Sequence, residues 1–252
     1  MSDLFWLTEP QMERLCPFFP KSHGRPRVDD RRVLSGIIFI IRNGLRWRDA
    51  PQEYGPHKTL YNRFVRWSHK GLFEKIFEEL ARPTGPEADV LMIDATHLKA
   101  HRTASSLKKG GCGPRLIGRT KGGMNTKLHA VGDGAGRPIR LHLTAGQTSD
   151  YKGAEVLLPD LPAARVVIAD RGYDSNKVRK TVTDQNIEAC IPSRKTRKKK
   201  VPYSTRTYRK RHKVENLFAK LKDWRRIAMR YDRCASIFKS AIYIAATVIF
   251  WL

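Results

Sequence analysis

Apolar residues recur with a helical period over the first third of this chain and with strand-like runs after it. Thr8 and Gln11 form a T-x-x-Q pattern before M-E-R-L-C-P-F-F, which predicts a capped helix. Asp29 or Asp30 can cap a second helix through R-R-V-L-S-G-I-I-F-I-I-R, stopping near Gly44. A loop holding Pro51 and Pro56 follows. Leu60, Phe64 and Trp67 then fall on one face of a helix over about residues 57–70, with Lys58, Arg63, Arg66 and Lys70 elsewhere on its surface. F-E-K-I-F-E-E-L predicts a last short helix.

The pattern changes at A-R-P-T-G-P-E-A-D, where two prolines and a glycine mark a boundary. It separates a helical domain, residues 1–85, from a mixed α/β domain, residues 86–252. Residues 89–94 read as a buried strand, and residues 102–123, rich in Gly, Lys and Arg, as a mobile basic loop. N-T-K-L-H-A-V-G-D-G-A-G-R-P-I-R-L-H-L-T-A-G alternates around a glycine-rich turn and predicts a hairpin. Asp150 can cap Y-K-G-A-E-V-L-L. R-V-V-I-A-D is a strand, S-N-K-V-R-K-T-V-T-D a helix and I-E-A-C-I-P a strand. After the charge run S-R-K-T-R-K-K-K, one long helix carries Glu215. Three strands followed by alternating helices and strands fit a mixed sheet with helices on its faces, the element order of the ribonuclease-H-like fold.

Composition narrows the partner. A formal charge of +25, from 49 Lys and Arg against 24 Asp and Glu, would self-repel without a polyanion. The charge is spread along the chain, which suits nucleic acid better than a membrane surface. Hydrophobic content of 40% is enough for a folded core. Cys16, Cys112, Cys190 and Cys234 lie far apart in sequence, so they suggest neither a zinc module nor a disulfide framework and read as reduced thiols. The start reads as no signal peptide. The apolar run A-I-Y-I-A-A-T-V-I-F-W-L is short for a span and predicts a buried terminal element.

Three acids stand in distinctive frames. Asp94 ends V-L-M-I-D, Asp170 ends V-V-I-A-D, and Glu215 sits in a basic amphipathic stretch. Taken singly, each has a local reading: a strand-end turn, a helix-capping turn, an intrahelical ion pair. Together, two strand-end aspartates and a helix-borne glutamate can cage divalent metal. Hard Mg²⁺ prefers such oxygens, and two ions can serve both ends of a phosphodiester displacement.

The stretch Tyr208, Arg211, Glu215, Lys222 matches the spacing Y-(2)-R-(3)-E-(6)-K. With the frames I-D-A-T-H-L-K-A-H-R and A-D-R-G-Y-D-S and the loop L-T-A-G-Q-T-S-D-Y, the whole chain resembles DDE transposases of bacterial insertion sequences. The likeness is to the insertion-sequence-five group of the four/five superfamily. It implies a ribonuclease-H-like, retroviral-integrase-like catalytic domain behind a helical DNA-binding domain. Asp94, Asp170 and Glu215 would then be catalytic ligands of Mg²⁺, with Mn²⁺ able to substitute. Tyr208 and Arg211 would contact phosphates beside the cut, and Lys222 the terminal bases or backbone. At the ideal helical period all four share one face.

The resemblance further implies double-stranded DNA partners, the terminal inverted repeats and the target. It implies a homodimer pairing two ends, no membrane, and a bacterial, cytoplasmic, nucleoid-associated protein. The helix near 57–70 resembles a recognition helix offering Lys58, Asn62, Arg63 and Arg66 to a groove, although its link to the preceding helix is long for a helix-turn-helix. His97 and His101 read as structural rather than ligating, Asp150 and Asp174 as turn and cap residues, and Gln147 as a weak candidate near the site. Trp47 and Trp67 read as core, and the run at 193–200 as a DNA grip. Some superfamily members insert a β domain before the Glu; only a short segment stands there in this chain. Two rivals stay open: a non-catalytic DNA-binding descendant, and a nuclease of the same fold acting on RNA–DNA hybrids.

Overall fold

The computed structural model describes residues 3–20, 28–82, 85–106 and 113–252. Residues 83–84 of the expected boundary and 107–112 of the expected basic loop lie outside that description. In chain order the helices are α1 (Glu9–Leu15), α2 (Asp30–Asn43), α3 (His57–His69), α4 (Leu72–Leu80), α5 (Arg102–Ser105), α6 (Asp150–Leu157), α7 (Asn176–Thr183), α8 (Thr205–Tyr208), α9 (His212–Lys222), α10 (Arg225–Ala228) and α11 (Ala235–Phe250). The strands used below are β1 (Val90–Ala100), β2 (Gly118–Thr120), β3 (Gly123–Gly132), β4 (Pro138–Ala145), β5 (Val166–Ala169) and β6 (Glu188–Cys190).

The chain forms two compact units that do not follow one cut near residue 85. One comprises residues 1–80, 101–115 and 221–252; the other comprises 81–100 and 116–220. The chain's apolar end explains the interleaving. α11 is buried almost all round, and within the first unit it packs on α2, α3 and α4. Lys239 Nζ and Tyr243 Oη donate to one oxygen of Glu74 on α4, each at 2.7 Å. The expectation of a buried terminal element holds for α11. Among the described residues no helix is long and apolar enough to cross a membrane.

In the first unit, Thr8 and Gln11 make the reciprocal capping box at α1. Asp29 caps α2, and Gly44, at φ 72°, ends it in the left-handed conformation that glycine adopts without strain. Val33 to Ile41 are all buried. Each of the fully buried isoleucines there contributes about 1.5–3 kcal/mol. Cys234 takes part in a disulfide, whereas Cys16 and Cys190 are free. The reading of four reduced thiols therefore fails at Cys234. Sequence spacing does not report which distant cysteines the fold brings within bonding range.

In the second unit, β1 lies between β3, antiparallel, and β5, parallel; β6 extends β5 in parallel. The far edge of β3 carries β4 and the short β2. This is the mixed sheet expected, with β2 added. α6 packs on β1, β3 and β4 of that sheet. The predicted hairpin is β3–β4. Its turn is held by Asp133, which is fully buried and accepts from the Ala135 and Arg137 backbone N–H groups and from the Arg137 side chain.

Candidate active site

The site begins with β1. Instead of ending at Asp94, as the apolar run predicts, the strand continues to Ala100 because β3 pairs with it from Met92 through Lys99. Asp94 is thus mid-strand. β5 runs parallel beside it and ends at Ala169, so Asp170 emerges next to β1 and opens a 3₁₀ turn, Arg171–Tyr173. Glu215 comes from the first turn of α9.

The expected long helix is broken. α8 ends at Tyr208, Arg209–Arg211 wind as a tighter 3₁₀ turn, and α9 starts at His212. The one-face argument from an ideal α period therefore does not apply across this segment. Arg211 is nonetheless the centre of the cluster. Its Nη1 donates to Asp94 Oδ2 at 2.8 Å, its Nη2 donates to Glu215, and its guanidinium lies 5.9 Å from the Tyr208 ring centroid.

Electrostatics binds these groups into one set. Burial raises the Asp94 carboxyl to about 6; the Ala95 N–H and Arg211 oppose that rise, and the neighbouring charges of Asp170 and Glu215 add to it. Burial works against the Arg211 charge, but Asp94 and Glu215, with Tyr208 and Asp170, lift its pKa above the ordinary guanidinium value. Tyr208 is raised chiefly by burial.

Asp170 Oδ1 is buried with no hydrogen-bond partner. Leaving a buried carboxylate oxygen unpaired is costly unless a cation satisfies it. Gly172 gives this carboxylate room, since a Cβ there would stand 2.7 Å from Asp170 Oδ1.

Among the described residues, no three His, Cys, Asp or Glu side chains stand close enough to hold a metal ion as they are. The cation between Asp94 and Glu215 is Arg211. The donor chemistry still fits a hard divalent ion: three carboxylates, one with an orphaned buried oxygen, beside a guanidinium that already stands in for positive charge.

Sequence reasoning missed Tyr173. It is buried, its hydroxyl has no partner, and burial together with Asp150, Asp94 and Asp170 pushes its phenol well above the usual range. Its place in the A-D-R-G-Y-D frame was the available signal.

The other candidates each have their own surroundings. Lys222 ends α9 and belongs to the first compact unit; burial lowers its ammonium pKa. On α3, Lys58 and Arg66 are exposed. Arg63 is not a free groove contact: it pairs with Asp30 at 3.6 Å and lies 5.6 Å from the Trp67 ring centroid. Trp67 is buried as expected, whereas Trp47 is only half-buried.

His97 Nε2 bonds the Gly146 carbonyl at 3.0 Å, His101 caps α5, and Asp150 pairs with Lys127 at 3.0 Å. Gln147 packs against Gly118. Asp174 is more than a turn residue. Its buried carboxylate accepts from Arg179, Arg197 and the Arg194 backbone N–H, so two arginines of the basic run at 193–200 are anchored inward. Lys195, Lys198 and Lys199 remain exposed.

Comparison with known proteins adds the family. Residues 7–77 match the family model described as a putative transposase of the IS4/5 family, and residues 85–251 match the transposase DDE domain. A putative transposase for insertion sequence element IS6501 from Brucella ovis is 37% identical over 131 residues, 51% of this chain and 99% of that protein. An uncharacterized protein from Sinorhizobium fredii is 36% identical over 116 residues, 43% of this chain and 90% of that protein. Among solved structures, a piggyBac transposase synaptic complex with hairpin DNA aligns with a TM-score of 0.54 at 10% identity, covering 97% of this chain and 72% of that one. At that identity the likeness shows the fold alone, a ribonuclease-H-like sheet.

Proposed function

This chain belongs to the DDE transposases of insertion sequences, which cut and join DNA strands, and from that premise we propose that Asp94, Asp170 and Glu215 are its catalytic metal ligands. One observation carries the assignment. Arg211 bonds Asp94 on β1 and Glu215 on α9, the charge of Asp170 at the end of β5 also acts on it, and Asp170 keeps a buried oxygen unpaired.

When bound, Mg²⁺ or Mn²⁺ supplies Lewis acidity and lowers the pKa of water at the scissile phosphate. The chain's own residues prepare the rest. Asp94 and Asp170 are fixed by backbone, on a strand and at a strand end, so their separation is held by the β1–β5 ladder. With metal bound, Asp94 and Glu215 would hold it together with Asp170, and the Arg211 guanidinium, freed from them, would face a non-bridging phosphate oxygen, for which its planar fork is suited. Tyr208, beside it, orients that phosphate, and Lys222 holds the backbone or bases at the transposon end.

The substrates are the terminal inverted repeats and then target DNA, which receives the freed 3′-hydroxyl ends. Exposed Lys58 and Arg66 supply phosphate contacts from α3. Because two ends must be joined to one target, the working complex is a homodimer.

The test uses flanking-end DNA with Mg²⁺ or Mn²⁺ and the variants Asp94→Ala, Asp170→Ala and Glu215→Ala. Cleavage by the parent, lost in all three variants while DNA is still bound, supports the assignment. A parent that binds both ends but cuts neither, with either metal, refutes catalysis and leaves a DNA-binding protein.

A further inference from the structure

We propose that the first compact unit carries a pocket for an unpaired nucleobase, built from residues other than the carboxylate set; the idea rests on the DNA-processing reading above. Two neighbouring cavities of about 710 and 880 Å³ share Trp47, Tyr61, Thr103, Arg226 and Tyr231. Each is within the roughly 300–1,000 Å³ of small-ligand sites.

The walls are aromatic planes. Tyr61 is 46% exposed and Tyr231 38%, large rings left facing solvent instead of the core. Trp47 meets Tyr61 edge-on at 5.5 Å between centroids. Arg226 is held between rings, 5.5 Å from the centroid of Trp47 and 5.7 Å from that of Tyr231. It is only 5% exposed and is fixed by bonds to the Leu45 carbonyl and Asp232 Oδ1, each at 2.9 Å. Locked in this way, Arg226 fixes the Trp47 and Tyr231 rings as a rigid wall of the cavity.

The polar groups select the ligand. Asp232 lines one cavity, and its Oδ2 is buried with no hydrogen-bond partner. An acceptor-only oxygen calls for a donor such as the exocyclic amino group of adenine, cytosine or guanine. Exposed Arg48 and Lys58 line the other cavity and offer charge to a phosphate. Aromatic planes, a cationic rim and one carboxylate acceptor together fit a nucleotide better than a lipid or an apolar peptide. Inside a duplex a base is stacked and paired, so the occupant is an unpaired base, as strand cutting exposes.

The full-length chain is tested in EDTA, so that nothing is cut. The probes are one duplex with a short overhang carrying 2-aminopurine, and the same duplex blunt. Affinity is read by anisotropy, and stacking by 2-aminopurine quenching. The parent is expected to bind the overhang on the order of tenfold tighter than the blunt duplex, with quenching. Tyr61→Ala with Tyr231→Ala should lose both the preference and the quenching while binding the blunt duplex as the parent does. Tyr61→Phe with Tyr231→Phe keeps the rings and should retain both. A parent without preference or quenching overturns the pocket, as does an alanine pair that keeps them. Failure of the parent to bind either probe instead overturns the DNA-processing reading itself.

Discussion

Replacing Asp94 by Asn removes a charge that the metal-free fold holds at a cost. The carboxyl is raised from 3.8 to about 6, chiefly because β1 buries it, and in spite of the Arg211 bond. Its side chain is 19% exposed. The folded protein therefore binds this proton more tightly than the unfolded chain does. The group's contribution to stability is complete below about pH 3.8 and is lost as pH rises through about 6.

The rise from 3.8 to about 6 sets a ceiling of about 3 kcal/mol at neutral pH. The residual exposure and the Arg211 bond that Asn gives up bring the expected gain to about 1–2 kcal/mol. Urea unfolding in EDTA at pH 7.5 should place the Asp94→Asn midpoint above the parent's. The gap should shrink through pH 6 and close near pH 4. Adding Mg²⁺ should stabilise the parent more than the variant, because only the parent gains a ligand that binds the folded state. An Asp94→Asn protein less stable than the parent at pH 7.5 in EDTA, or a gap that does not change with pH, would refute the reasoning.

Asp174→Ala should destabilise by about 3 kcal/mol, because it strands Arg179 and Arg197 beside a buried void; thermal melts check this. Burial opposes the Asp174 charge, but bonds from Arg197, the Arg194 N–H and Arg179 hold its carboxyl at about 2. Its contribution is therefore present above pH 3.8 and lost as pH falls toward 2, which acid titration of the folded signal follows. Gly172→Ala should leave the melting temperature within a few degrees of the parent yet lower cleavage by on the order of a hundredfold, since the new Cβ crowds the Asp170 carboxylate; full activity in this variant would contradict the role given to that oxygen. With a net charge of +25, DNA affinity should fall steeply and linearly on a log–log plot against salt, and a flat titration would argue against phosphate neutralisation as the driving force.

Local chemistry made much of this protein legible in the sequence. A capping box needs only residues three apart, a glycine stop only one φ angle, and a buried strand only a short apolar or alternating run bounded by turn residues. Thr8 and Gln11, Gly44, the β3–β4 hairpin and the strand that delivers Asp170 were therefore readable from neighbouring residues.

What depended on approach between distant segments was not. Asp94 became mid-strand because β3 pairs along β1 past it. Arg63, and Arg197 of the basic run at 193–200, were turned inward by single acids, Asp30 and Asp174, whose reach no spacing encodes. The apolar C-terminus advertised its burial but not its partners, and so the compact units interleave. Cys234 found a disulfide for the same reason. The three carboxylates were nameable in sequence, but their gathering around Arg211, the orphaned oxygen of Asp170 and the buried Tyr173 beside them are products of packing. Propensity acts between neighbours along the chain, whereas desolvation and charge pairing act between neighbours in space, and only the folded chain decides which those are.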